Sequence, residues 1–154
     1  MHRQIRNVNI EDLDALAKMY MSAYACEPWC EMWKYDQAYE RVTEVVFSQK
    51  SLCFVYEEDK LIKGCVLCML MSWHTGKQLE IKELFVDSLY HNQGIGKRLV
   101  HHIESLVFEY DISEIFLWAM KTRENHKLVA LYKRLGYKTD VKMVAMVKML
   151  GDYL

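Results

Sequence analysis

The sequence predicts a single α/β domain, a mixed sheet with helices on both faces, and three observations carry that expectation. The chain has 154 residues, of which 52% are hydrophobic, enough to bury a core without disulfide staples. Segments with strand-like patterning alternate with segments of helical spacing in the order β-α-α-β-β-β-α-β-α-β. No repeat, low-complexity tract or linker interrupts them, so residues 1–154 read as one domain.

"RQIRN" opens the chain as a short edge strand. Asn9 then caps a helix in which Leu13, Leu16, Ala17, Tyr20 and Tyr24 follow helical spacing, with Glu11 and Asp12 in its first turn. Pro28 lies in the aromatic-rich connection "ACEPWCEMWKYD", which leads to a second helix expected to turn Tyr39, Val42 and Val46 inward. "LCFVYEEDKLIKGCVLCMLM" places two apolar runs around "EEDK", an antiparallel hairpin. "QLEIKELFV" is the next strand. Leu99, Val100, Ile103, Leu106 and Val107 form the stripe of an amphipathic helix. "EIFLWAM" follows as a strand, "ENHKLVALYKRL" as a helix closed by Gly136 in a left-handed conformation, and "KMVAMVKM" as a final strand.

A formal charge of −1 excludes a general binder of nucleic acid or of membrane surfaces, and no apolar run is long enough to span a bilayer. Five cysteines at irregular spacing, without a signal peptide, point to a reducing cytoplasm. Cys65 and Cys68 are expected on opposite faces of a strand, not on a metal. His101 and His102 are expected on the polar side of their helix, and no histidine pair has ligand spacing. Residues 24–60 carry eight acids against four bases, and residues 91–154 ten bases against seven acids. That polarity suits a cationic ligand near the first half and an anionic one near the second, although such charges also serve as solvated faces.

The stretch "YHNQGIGKRLV" sits where a strand gives way to a helix. Glycines at 94 and 96 let backbone N–H groups approach an anion closely. A dinucleotide fingerprint would need a third glycine where Leu99 stands. A P-loop would need glycine at His91 and Ser or Thr at Arg98.

"ELFVDSLYHNQGIGKRLV" resembles the central motif of the GNAT N-acetyltransferase superfamily: Arg or Gln, two residues, Gly, one residue, then Gly or Ala, after an apolar strand end. Gly94 and Gly96 match, and His91 stands in place of the usual Arg or Gln. "NHKLVALYKRLGYK" resembles the downstream helix, with Asn125, Leu131, Tyr132, Gly136 and Tyr137 matching and Leu128 in place of Ala. "EPWCEMWKYDQAYERV" with "IKELFV" is similar to a bacterial aminoglycoside 6'-N-acetyltransferase-like subgroup.

The resemblance implies a mostly antiparallel, twisted GNAT-like sheet and acetyl-CoA as co-substrate, with no metal. It implies that His91, Asn92, Gln93, Gly94, Ile95, Gly96 and Lys97 surround the pyrophosphate. Leu84, Phe85 and Val86 would run beside the pantetheine arm, with Asn125 bonded to it and Tyr132 protonating the leaving sulfur. Tyr132 is otherwise a half-buried core tyrosine, and Asn125 an ordinary helix cap. His91 would add a pH-dependent contact to the phosphates.

The base should be a carboxylate near the strand's splay. Period two places Leu79, Ile81, Glu83 and Phe85 on one face, where Glu83 would be desolvated and raised in pKa. Glu80 is the alternative base should a bulge shift the phase, and Glu83 could instead simply pair with a Lys or Arg on the sheet. Glu27, Trp29, Trp33 and Glu80 are the candidate substrate contacts, suited to a small cationic amine through charge and cation–π attraction. A peptide amine acceptor and a non-catalytic acyl-CoA-binding module are the alternatives. The Met-rich "KMVAMVKML" is a candidate homodimer strand.

Overall fold

A computed structural model describes all residues except 28, 121–126 and 152–154. The described residues form two compact units, Met1–Lys121 and Thr122–Leu154. The first contains β1 (Arg3–Asn7), α1 (Leu13–Ala25), α2 (Tyr35–Val46), β2 (Ser51–Glu58), β3 (Leu61–Trp73), β4 (Gly76–Val86), α3 (Ile95–Glu104) and β5 (Ile112–Phe116). The second contains α4 (Lys127–Arg134).

The five strands lie in the order β1-β2-β3-β4-β5. The first three pairings are antiparallel, and β5 joins β4 in parallel after α3 has crossed over. Mixed α/β architecture with a mostly antiparallel sheet is thus observed as expected. The β2–β3 hairpin turns on Asp59 and Lys60, whose φ values of 50° and 65° are those of a two-residue primed turn.

One face of the sheet packs on α1 and α2. Cys53, Val55, Cys65, Leu67 and Phe85 meet Leu13, Leu16, Ala17, Tyr20 and Tyr24 from α1 and Ala38, Val42 and Val45 from α2. The buried stripe of α2 therefore differs from the expected one by a residue at two of its three positions: Tyr39 is exposed and Val46 only partly buried. The run 38, 42, 45 satisfies helical spacing as well as 39, 42, 46, and the small Ala38 allows the closer approach.

The other face receives α3. A side chain at Gly64 of β3 would lie 2.8 Å from Ile95 Cγ2 and 3.2 Å from Leu99 Cδ1, so the missing Cβ is what lets the start of α3 sit on the sheet. On this face the His102 ring packs edge-on against Phe54 at 4.5 Å, so His102 is half-buried rather than on a purely polar side. Cys65 and Cys68 are both buried, and the register puts them on opposite faces.

Two expected strands differ. The strand after α3 is Ile112–Phe116 and ends before Leu117. Residues 142–149 form no strand among the described residues, and Met143, Val144, Met146 and Val147 are exposed. Apolar patterning alone makes no strand, because a strand exists only where a second backbone takes up its N–H and C=O groups.

β1 is tied to α1 by a charge cluster. Arg6 donates to both oxygens of Asp12, at 2.8 and 3.0 Å, and to Glu57 Oε2 at 2.7 Å. Asp12 also accepts from the Asn9 N–H at 2.7 Å, which closes the turn Ile10–Asp12 that starts the helix. Burial pushes the Asp12 carboxyl up, but Arg6 and the Asn9 N–H outweigh it and hold the group below its ordinary 3.8. Its contribution is therefore present above pH 3.8 and is lost as pH falls through the lowered value. Asp12→Asn is expected to cost about 2 kcal/mol in urea unfolding at neutral pH. The gap to wild type should narrow below pH 3.8; a gap that stayed constant on acidification would refute the assignment.

Candidate active site

The glycine turn is built from the end of β4 into α3. Asp87 caps it by accepting from Leu89 N–H at 3.0 Å, and the Tyr90 N–H returns to Asp87 O at 2.9 Å. His91 Nε2 lies 2.9 Å from Val86 O, and since a carbonyl only accepts, that nitrogen carries the hydrogen. Nδ1 then meets an anion favourably only when the ring is protonated.

Asn92 and Gly94 take φ values of 63° and 77°. A side chain at Gly94 would find nothing within 4 Å, so the glycine answers the left-handed backbone and the space before it is open. The first helical bond is Arg98 N–H to Gly94 O at 3.1 Å, and no side chain caps the helix. Among the described residues nothing accepts from the N–H groups of Ile95, Gly96 and Lys97, the first donors of a ten-residue helix whose dipole favours an anion. This donor set suits an anion.

β4 carries a bulge. Leu67 pairs with Glu83 but Cys68 pairs with Ile81, leaving Lys82 as the extra residue. The expectation of one face for Leu79, Ile81, Glu83 and Phe85 is therefore corrected. Leu79 and Ile81 lie opposite Leu70 and Cys68 toward the α3 side, whereas Glu83 and Phe85 lie opposite Leu67 and Cys65 toward α1 and α2. Glu80, opposite Met69, shares the face of Glu83, and its carboxylate pairs with Lys82 at 3.3 Å.

β5 accompanies β4 only from Lys77 to Glu80. Beyond that point one edge of β4, running to Leu84, Phe85 and Val86, has no strand neighbour among the described residues. An extended chain bearing amides can pair with such an edge.

Glu83 is only 6% exposed. Its Oε1 accepts from Arg41 Nε at 3.1 Å and from the Tyr20 hydroxyl at 3.3 Å, and its Oε2 from the Tyr24 hydroxyl. Burial raises the carboxyl above the ordinary 4.5, with Tyr24, Arg41 and Tyr20 pulling the other way. Both tyrosines are pushed up by burial and by the Glu83 charge, so they remain donors. The expected desolvation is thus observed, but the cation that pairs with Glu83 comes from α2 and not, as the alternative had it, from the sheet.

Beside this network Glu31, Trp33, Gln37, Glu40, Arg41 and Glu44 line a cleft of about 570 Å³. The Trp33 indole donates to Glu31 at 3.0 Å and stands edge-on to Tyr20 at 5.0 Å. Trp29 packs on Tyr24 at 5.1 Å, and Glu27 is exposed and does not line the cleft. Of the four expected substrate contacts, the cleft gathers Trp33. Arg41, Tyr20, Tyr24 and Gly64 were missed; only Gly64, a glycine inside a strand pattern, carried a local signal.

In the second unit Tyr132 of α4 is 4% exposed, with its ring 5.2 Å from that of Tyr137. Gly136 takes φ 92°, and the Tyr137 N–H returns to Tyr132 O at 3.0 Å, which ends the helix as expected. Asn125 lies outside the described residues. Among the described residues no group of three or more His, Cys, Asp or Glu could hold a metal, and no helix is long and apolar enough to cross a membrane.

The sequence model of the acetyltransferase (GNAT) family matches residues 13–137, and the chain belongs to that family. An uncharacterized N-acetyltransferase of Chlorobaculum tepidum, CT2212, is 32% identical over 77 residues, 49% of this chain and 45% of that protein, so the chain spans less than half of that relative's length. The D-amino-acid N-acetyltransferase HPA3 of Saccharomyces cerevisiae is 25% identical over 130 residues, 74% of this chain and 80% of that protein. The crystal structure of a "possible acetyltransferase" from Clostridium difficile 630 shares the fold with a TM-score of 0.80 at 23% identity, over 96% of this chain and 99% of that one. Further structures of this fold are named as aminoglycoside and ribosomal-protein-alanine acetyltransferases. The aminoglycoside subgroup is therefore one neighbour among several, and the fold selects no acceptor.

Gly94→Ala places a side chain on a left-handed backbone and should weaken CoA binding about fivefold in calorimetry, corresponding to about 1 kcal/mol. His91→Ala should weaken it as well. An affinity equal to wild type would remove the His91 contact.

Proposed function

We propose that residues 1–154 act as one acetyl-CoA-dependent N-acetyltransferase domain that acetylates the primary amine of a small cationic acceptor by direct attack in a ternary complex. The acidic cleft carries the acceptor class. Its three glutamates meet one arginine, whose charge is already matched by Glu83, so a cationic amine gains attraction there and can lie against Trp33. A cytoplasmic location and a homodimer joined through the exposed stretch 142–150 belong to the same proposal.

Each step has a group to perform it. The free donors at the start of α3 hold the pyrophosphate, and the open edge at Leu84, Phe85 and Val86 holds the pantetheine arm by strand-like pairing. An N–H of the same strand bonds the thioester oxygen, where charge develops. The amine nitrogen forms a bond to the acyl carbon as the carbon–sulfur bond breaks. Glu83 takes the ammonium proton: its carboxylate has about four acceptor sites, and three are engaged. The departing thiolate takes a proton, the role that the resemblance assigns to Tyr132, so the products are an acetamide and CoA thiol.

Release of CoA thiol, followed with the full chain against aminoglycosides, polyamines, amino acids and peptides, tests this reading. Small cationic amines should give release, and Glu83→Gln should slow it at neutral pH by about a hundredfold. Tyr132→Phe, which keeps the ring and removes only the proton, should slow turnover as well. A Glu83→Gln rate within about threefold of wild type would end the role of that residue as base. Acetyl-CoA binding without release to any amine would make the chain a binding module, and release to peptides alone would move the acceptor class.

A further inference from the structure

We propose that Arg41 is a positioning residue for this reaction: from the wall of the acidic cleft its guanidinium keeps the Glu83 carboxylate ionised, and so sets the pH above which the site can accept a proton from the acceptor. The inference rests on the reading of Glu83 as the base.

Arg41 has other carboxylates within its own surroundings. Glu31, Glu40 and Glu44 line the same cleft, and Glu44 lies three residues on along α2. Its ion pair is instead with Glu83, at 3.1 Å, where the Arg41 side chain is 39% exposed and that of Glu83 6%. A guanidinium thus bridges a wet cleft and a dry carboxylate.

The groups around Glu83 leave this role to Arg41. Tyr20 and Tyr24 of α1 are neutral donors held protonated, and the thiol of Cys65 on β3 is buried and pushed well up. On β4 itself Glu80 and Lys82 offset each other across 3.3 Å. Glu31, in the α1–α2 connection, is negative and exposed. Among the described residues, Arg41 is the one cation bonded to Glu83. Burial drives the carboxyl toward its neutral form, and removing the cation that opposes this must move its titration upward.

The test pairs carbon NMR titration of the Glu83 carboxyl, in the full chain without substrate, with the pH profile of kcat/KM for whichever amine supports turnover. Arg41→Gln should move the carboxyl midpoint and the acid limb of kcat/KM upward together by about one pH unit, a loss of about tenfold below the limb. Arg41→Lys, which keeps the charge, should return both most of the way. A midpoint unchanged in an Arg41→Gln protein of native circular dichroism would overturn the inference and leave the base assignment standing. A midpoint that moves without the limb would uphold the hold of Arg41 on Glu83 and overturn Glu83 as base. Should Arg41→Gln fail to fold, an Arg41→Lys midpoint more than about one unit above wild type would overturn it.

Discussion

A carboxylate kept inside the core organises the body Met1–Lys121. An ionised group without partners would be too costly to bury, so Glu83 must be met by donors wherever the chain can bring them. α1 brings two, Tyr20 and Tyr24, one turn apart on the face that also packs on Phe85. α2 brings Arg41. The connection between these helices then covers the tyrosines with Trp33 and Trp29. The apolar stripes of α1 and α2 pack these helices on the sheet, and the one satisfied charge links that packing to the wall of the cleft and to the electrostatics of the candidate base.

That arrangement depends on a single extra residue in β4. Without the bulge at Lys82, strict alternation would set Glu83 on the same side as Leu79 and Ile81, away from α1 and α2. The bulge reverses the phase just past the point where β5 leaves the sheet. Both events fall within a few residues, so a buried carboxylate and an open strand edge lie side by side. The same strand runs on into the glycine turn, and Gly64 beneath it lets α3 start close to the sheet. The glycine turn, an edge able to pair with an extended chain and the candidate base thus lie close together along one stretch of chain, from Glu83 to Lys97.

What could be read from the chain tracks how local the physics is. The glycine turn was readable because its parts are neighbours in sequence and glycine has a direct conformational meaning there. The hairpin, the first part of α3 and the ending of α4 at Gly136 were readable for the same reason, although α3 ends at Glu104, before the expected stripe positions Leu106 and Val107. The face of Glu83 was not, because a bulge is decided by the register of the partner strand, which period-two counting on one strand cannot see. The stripe of α2 was misread at two of its three positions because two spacings fit equally and the neighbouring helix chooses between them. Residues 142–149 have strand-like composition yet no strand pairing among the described residues, since pairing is a property of two segments.

By itself, then, the sequence determined the order of elements as far as α4, the glycine turn, a buried-acid candidate at Glu83 and the acidic character of the first-half connection. Only the tertiary structure decided which side chains face that acid, since Tyr20, Tyr24 and Arg41 lie 63, 59 and 42 residues away along the chain. The reason is physical: whether burial leaves a carboxylate neutral, or ionised and ready to accept a proton, depends on donors and charges within a few ångströms. The folded chain, not its local pattern, sets those distances.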